Sequence, residues 1–90
     1  MVGELVWRLS IADVAADGPF SAFPGLARIL TVIEGTGIDI LTPNGRLEAL
    51  PMCPLAFSGD VPVVGRLRNG AISDFNVIFD PRKVRAEVTA

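Results

Sequence analysis

A 90-residue chain with no histidine, one cysteine and a net charge of −2 is one small domain that runs no imidazole-based metal or acid–base chemistry of its own. Its 8 basic and 10 acidic residues are interspersed and build no basic stripe, which excludes a duplex nucleic-acid surface, and no apolar stretch approaches the ~20 residues of a membrane span. Half of the residues are hydrophobic and mean hydropathy is +0.48, high for so small a body, so part of its apolar surface is expected to be covered from outside the chain.

Val6 to Val14 alternates, with Trp7, Leu9 and Ile11 on one side and Arg8, Ser10 and Ala12 on the other. Period two predicts a strand with one face buried. Asp17-Gly18-Pro19 breaks it. Phe20 to Gly25 follows, a loop of two phenylalanines among Ser, Pro and Gly. Apolar rings in an exposed loop are unfavourable, so they are expected to plug a gap. Arg28 to Glu34 carries the β-branched run Ile29 to Ile33 and predicts a strand buried on both faces. Gly35-Thr36-Gly37 is a turn, and Ile38 to Thr42 the next strand.

Pro43-Asn44-Gly45 predicts a tight hairpin, because Asn-Gly readily adopts positive φ. Arg46 to Leu50 returns from it. Pro51 and Pro54 bound a short irregular piece, and Pro62 marks an edge or a strand start. In Val63 to Arg68, Val63, Gly65 and Leu67 oppose Val64, Arg66 and Arg68. A second Asn-Gly turn, Asn69-Gly70, leads into the strand Ile72 to Phe79. After Asp80-Pro81, Val84 to Thr89 alternates and predicts a last strand. Seven or eight short strands separated by turns, with no helical pattern, predict an all-β sandwich or barrel.

The charged pairs Arg66/Arg68 and the cluster Arg82, Lys83, Arg85 read as solvated charge. Cys53 lies in the apolar run Met52-Cys53-Pro54-Leu55 with no histidine to activate it, and is expected to be a small buried hydrophobe. A lone cysteine and the lack of a signal-peptide pattern lead to the expectation of a reducing, cytoplasmic location.

Two segments resemble the cupin barrel: Leu30 to Gly37, a strand running into Glu-Gly-x-Gly, and Phe57-Ser58-Gly59-Asp60, similar to that fold's Pro-Gly-Asp turn. A longer set is more specific. Trp7 to Ala12, then Asp17 to Gly25, then the Glu-Gly turn, then Asp74-Phe75-Asn76 resemble, in order and spacing, the HutD/Ves family of cupin-like bacterial proteins often found with histidine-utilisation genes. The resemblance covers residues 5–80. Residue 27, before Arg28, is alanine where family members usually have aspartate. The family's leading Trp-Lys-Asn-Gly-Gly-type strand is absent, and members continue for about another half-length. The resemblance therefore implies a single cupin-like β domain over residues 1–90, an antiparallel barrel or jelly-roll sandwich that is one part of a two-part fold.

The candidate site follows from shared strand faces. Arg8 and Ser10 share one face, and Asp74 and Asn76 another in the same sheet system. Together they offer a guanidinium, a hydroxyl, a carboxylate and an amide to a polar ligand. Phe20, Ser21 and Phe23 would form its wall, and Arg28 would close the mouth or cap a strand edge. The competing reading is that Arg8 and Asp74 form an ordinary ion pair and both phenylalanines are core. Asp39, Glu34 and Asp60 have no fixed spacing as a hydrolytic pair and read as surface or turn residues. Cupins hold metal through histidines and a glutamate; a chain without histidine lacks that set, and no cofactor is expected. Three functions follow. The first is a ligand-binding, regulatory cupin-like protein of histidine catabolism, for which the resemblance implies a small acidic metabolite. The second is an interaction module completed by a homodimer partner or a complementary half-domain. The third, an enzyme, has no visible nucleophile–base pair.

Overall fold

The computed structural model describes residues 7–82, which form eight strands in two four-stranded antiparallel sheets. They are β1 (Trp7–Val14), β2 (Gly18–Pro19), β3 (Ala27–Glu34), β4 (Ile38–Thr42), β5 (Gly45–Ala49), β6 (Leu55–Ser58), β7 (Val64–Leu67) and β8 (Ile72–Phe79). The first sheet runs β1-β8-β3-β6 and the second β2-β7-β4-β5. The two lie face to face as a sandwich and do not close into a barrel. The expected strand Val84 to Thr89 lies outside the described residues, as do Lys83 and Arg85.

Between the sheets, Leu30, Val32, Ile38, Ile40 and Ala49 are fully buried, and Phe20, Leu47, Leu55 and Phe57 pack around them. Each large aliphatic side chain buried here contributes ~1.5–3 kcal/mol before chain entropy is counted. The β-branched run of β3 makes it a central strand, paired with β8 on one side and β6 on the other. The Asn44-Gly45 hairpin joins β4 to β5, with Gly45 at a φ of 132° that a side chain would strain.

Several expectations are corrected. Asp17-Gly18-Pro19 is more than a break: Gly18–Pro19 pairs with Gly65 and Val64 of β7. Between Pro54 and Pro62, where no strand was expected, Leu55–Ser58 adds an edge strand to β3. In β1 the apolar side chains Leu9 and Ile11 face outward, 51 % and 68 % exposed, while the polar face with Arg8 and Ser10 looks into the sandwich. Alternation says which side chains share a face, and a polar site inside the sandwich inverts the usual assignment. Cys53 is exposed, not buried. It sits in a bend beside Met52, whose φ is 61°, and apolar neighbours in sequence do not enclose it. Arg66 is exposed as expected, but Arg68 donates to Asp39 Oδ1 at 3.0 Å and also pairs with Glu48.

Candidate ligand-binding site

Register places the site. Across β1, β8 and β3 the inward positions form three rows: Arg8–Ile78–Arg28, Ser10–Asn76–Leu30 and Ala12–Asp74–Val32. Successive rows stand about 7 Å apart, two residues along a strand. The first row ends in guanidiniums, the second carries hydroxyl and amide, and the third carries a carboxylate. All eight candidate residues (Arg8, Ser10, Phe20, Ser21, Phe23, Arg28, Asp74 and Asn76) line one cavity of about 230 Å³, together with Ala12, Val14 and Ile78.

Arg28 does not close the mouth or cap an edge; it is 6 % exposed, because β3 is interior to its sheet. Its guanidinium lies 5.1–5.5 Å from the ring centres of Phe20, Phe23 and Phe57. Nη1 donates to the Ser21 carbonyl and Nη2 to Asn76 Oδ1, each at 3.2 Å. Nε is buried and has no partner among the described residues. Arg8 is exposed at the rim, its guanidinium 5.8 Å from the centre of the Phe23 ring.

Asp74, 1 % exposed, accepts from Asn76 Nδ2 at 2.5 Å. The amide orientation of Asn76 is dictated by its neighbours: the donor-only guanidinium takes its oxygen and the carboxylate takes its nitrogen. The Arg8–Asp74 ion pair does not occur, since those residues stand two rows apart. Burial pushes the Asp74 carboxyl up from its ordinary value; Asn76 and Arg28 pull it back, and Asp13 adds to the rise. Burial also lowers the Arg28 guanidinium, an effect that Asp74 partly offsets.

The wall loop is pinned from two sides. Phe20 N–H donates to the Val63 carbonyl at 3.0 Å, and Phe23 N–H to the Gly59 carbonyl at 2.9 Å. Gly25 N–H donates to Asp60 Oδ1 at 2.6 Å. Asp60 is thus a turn residue. A Cβ on Gly59 would collide with the carbonyl oxygens of Phe23 and Leu26, so the Ser58-Gly59-Asp60 turn can approach this loop only with glycine there. Gly65 leaves the space that the Phe20 ring fills.

A model of the HutD family matches residues 2–90. The chain belongs to the HutD family. It is 46 % identical over 83 residues to an uncharacterized 21.2 kDa protein from the hutC 3′ region of Pseudomonas putida, covering 91 % of this chain and 44 % of that protein. It is 37 % identical over 84 residues to the protein Ves of Escherichia fergusonii, with the same coverage. Among solved structures it is similar to HutD from Pseudomonas fluorescens SBW25, in a formate condition, at 46 % identity and a TM-score of 0.80, covering 83 % of this chain and 41 % of that one. The sandwich is cupin-like: a cupin protein from Bacteroides fragilis matches at a TM-score of 0.67 and 13 % identity over 94 % of this chain and 75 % of that one. This HutD-family chain spans less than half the length of the curated relatives it matches.

Sequence reasoning missed Phe57 as the third ring on Arg28. It stands opposite Arg28 in the β3–β6 ladder, and only that register reveals it. Ala12, Val14 and Ile78 were also missed as lining. The alternation of β1 and β8 already put them on the faces of Ser10 and Asn76, and that signal was available.

Proposed function

We propose that this HutD-family chain binds a small carboxylic acid between its first sheet and the loop carrying Phe20 and Phe23 and acts as a regulatory, ligand-responsive protein in histidine utilisation. One observation carries this reading: the buried guanidinium of Arg28, held among three phenylalanine rings with Nε unpartnered among the described residues, lines a cavity open at Arg8. A desolvated cation with a free donor attracts an anion far more strongly than an exposed arginine does. The rings keep water off it, and Arg8 supplies a second positive charge at the entrance.

Isothermal titration with imidazole-derived and glutamate-like acids tests it. Saturable binding that Arg28→Met weakens by at least about tenfold, with the variant's circular dichroism unchanged, supports the reading. No heat from any acid on the wild-type chain overturns it.

A second reading, a self-associating interaction module, is favoured by the outward Leu9 and Ile11 of β1, an edge strand of the first sheet. The curated relatives are more than twice as long as the segment they share with this chain, and a second copy would supply a body of similar size.

A further inference from the structure

We propose that the acid this pocket takes also carries an N–H donor, an ammonium or amidinium group, at the end away from its carboxylate. The proposal rests on the acid-binding reading and adds the polarity of the ligand. The three rows of the first sheet give the pocket a direction, from the guanidiniums of Arg8 and Arg28 to the carboxylate of Asp74. Each end is short of a partner. At one end, Arg28 Nε is a buried donor with nothing to donate to among the described residues. At the other, Asp74 receives a side-chain hydrogen bond from Asn76 alone among those residues, whereas an ionised carboxylate accepts about four. Unmade bonds to buried polar groups are unfavourable, and a ligand that supplies both partners recovers them.

The groups around Asp74 point to a donor, not a second acid. On its own strand stands Asn76, already committed to Arg28. From β1 come Ala12 and, behind it, Asp13, whose charge opposes ionisation of Asp74. From β3 comes Arg28, which reaches Asp74 only through Asn76. The Phe20 and Val14 side chains that line the same cavity are apolar. A ligand carboxylate at this end would meet a like charge, while an ammonium there would add a counter-charge to that of Arg28.

Three matched probes decide the matter: 4-aminobutyrate, valerate and glutarate, which differ only in ending with ammonium, methyl or carboxylate. By titration calorimetry at about pH 7.5, 4-aminobutyrate should bind the 90-residue chain at least about tenfold more tightly than either of the others. That preference should shrink as the pH is lowered and Asp74 takes up a proton. In Asp74→Asn it should vanish. If valerate or glutarate binds the wild-type chain as tightly as 4-aminobutyrate, the donor proposal is overturned and acid binding stands. If none of the three binds, and the imidazole-derived and glutamate-like acids fail as well, both are overturned. The wild-type comparison and its pH profile decide the question even if the Asp74 variant does not fold.

Discussion

Arg28 and Asp74 meet through a third residue: the Asn76 amide accepts from Arg28 Nη2 at 3.2 Å and donates to Asp74 Oδ1 at 2.5 Å. The arrangement keeps two buried, opposite charges apart by one amide. A direct ion pair would spend donors of Arg28 on Asp74 and leave less hydrogen-bonding capacity for anything else in the pocket. Separated, Arg28 keeps an unpartnered Nε and Asp74 keeps unused acceptor capacity among the described residues, at the expense of some stability.

That loss of stability is measurable through pH. Burial is the main reason the Asp74 carboxyl is raised above 3.8. The folded chain therefore keeps a proton on Asp74 at pH values where the unfolded chain has lost it. The stability this confers is present at low pH and is lost as pH rises from the unfolded pKa through the folded one. Asp74→Asn keeps an oxygen that can accept from Asn76 and removes the charge. It should melt higher than the wild-type chain at about pH 7.5, with the gap closing toward about pH 4. Calorimetric scans across this range check it. A variant that melts lower at neutral pH would mean that Arg28 more than compensates the buried carboxylate.

Gly65 sets the position of the Phe20 ring. A Cβ there would lie 2.5 Å from Phe20 Cε1 and 2.9 Å from Ile38 Cδ1. Gly65→Ala should destabilise the fold by ~1–3 kcal/mol through overpacking and weaken acid binding, because the displaced ring enters the cavity. Gly18 provides the control, since a Cβ added there would meet nothing within 4 Å. Gly18→Ala should change stability by no more than ~0.5 kcal/mol in the same chemical-denaturation assay.

Phe57 closes the box on Arg28 from β6. Phe57→Leu keeps apolar volume but removes a ring whose centre lies 5.1 Å from the guanidinium. Acid affinity should change by no more than about threefold, while stability falls by ~1–2 kcal/mol from lost packing and cation–π attraction. A collapse of acid affinity with stability unchanged would show that Phe57 contacts the ligand itself.

Local patterns made much of this fold legible. The bounds Ile38–Thr42, between Gly35-Thr36-Gly37 and Pro43-Asn44-Gly45, and Ile72–Phe79, between Asn69-Gly70 and Asp80-Pro81, follow from the flanking turn signals and agree with the observed strands. β6 was hidden because four residues beside two prolines carry too little periodicity. The site was legible as sets of residues sharing a face, which put Arg8 with Ser10 and Asp74 with Asn76. The position of Arg28 was not. Its burial depends on Phe57 and Ile78 standing opposite it on two neighbouring strands, a relation between segments distant in the chain. The inward direction of the polar face of β1 was likewise a property of the sandwich, not of the strand.

The outward face of β1 gives the last prediction. Leu9 and Ile11 are among the exposed large hydrophobics, and on the same side of the sheet Phe75, Val77 and Ile29 pack into a second apolar cluster. Among the described residues β1 is also an edge strand with no other strand paired along its outer side, the kind of edge that takes up another strand. We propose a second copy of the chain as the partner, with β1 edges or outer faces in contact and ~800 Å² covered on each side. Association of folded chains makes the melting temperature rise with protein concentration. The wild-type chain should show that rise, with a dimer mass by light scattering at tens of micromolar. Ile11→Lys places a charge at the centre of the exposed patch and on the edge strand. It should give a monomer whose melting temperature does not depend on concentration, with acid binding retained, because residue 11 faces away from the pocket. A wild-type chain that is already a folded monomer at low micromolar concentration, melting at a constant temperature, would rule the dimer out. Leu9 and Ile11 would then be tolerated as scattered surface hydrophobics, which are common on small domains.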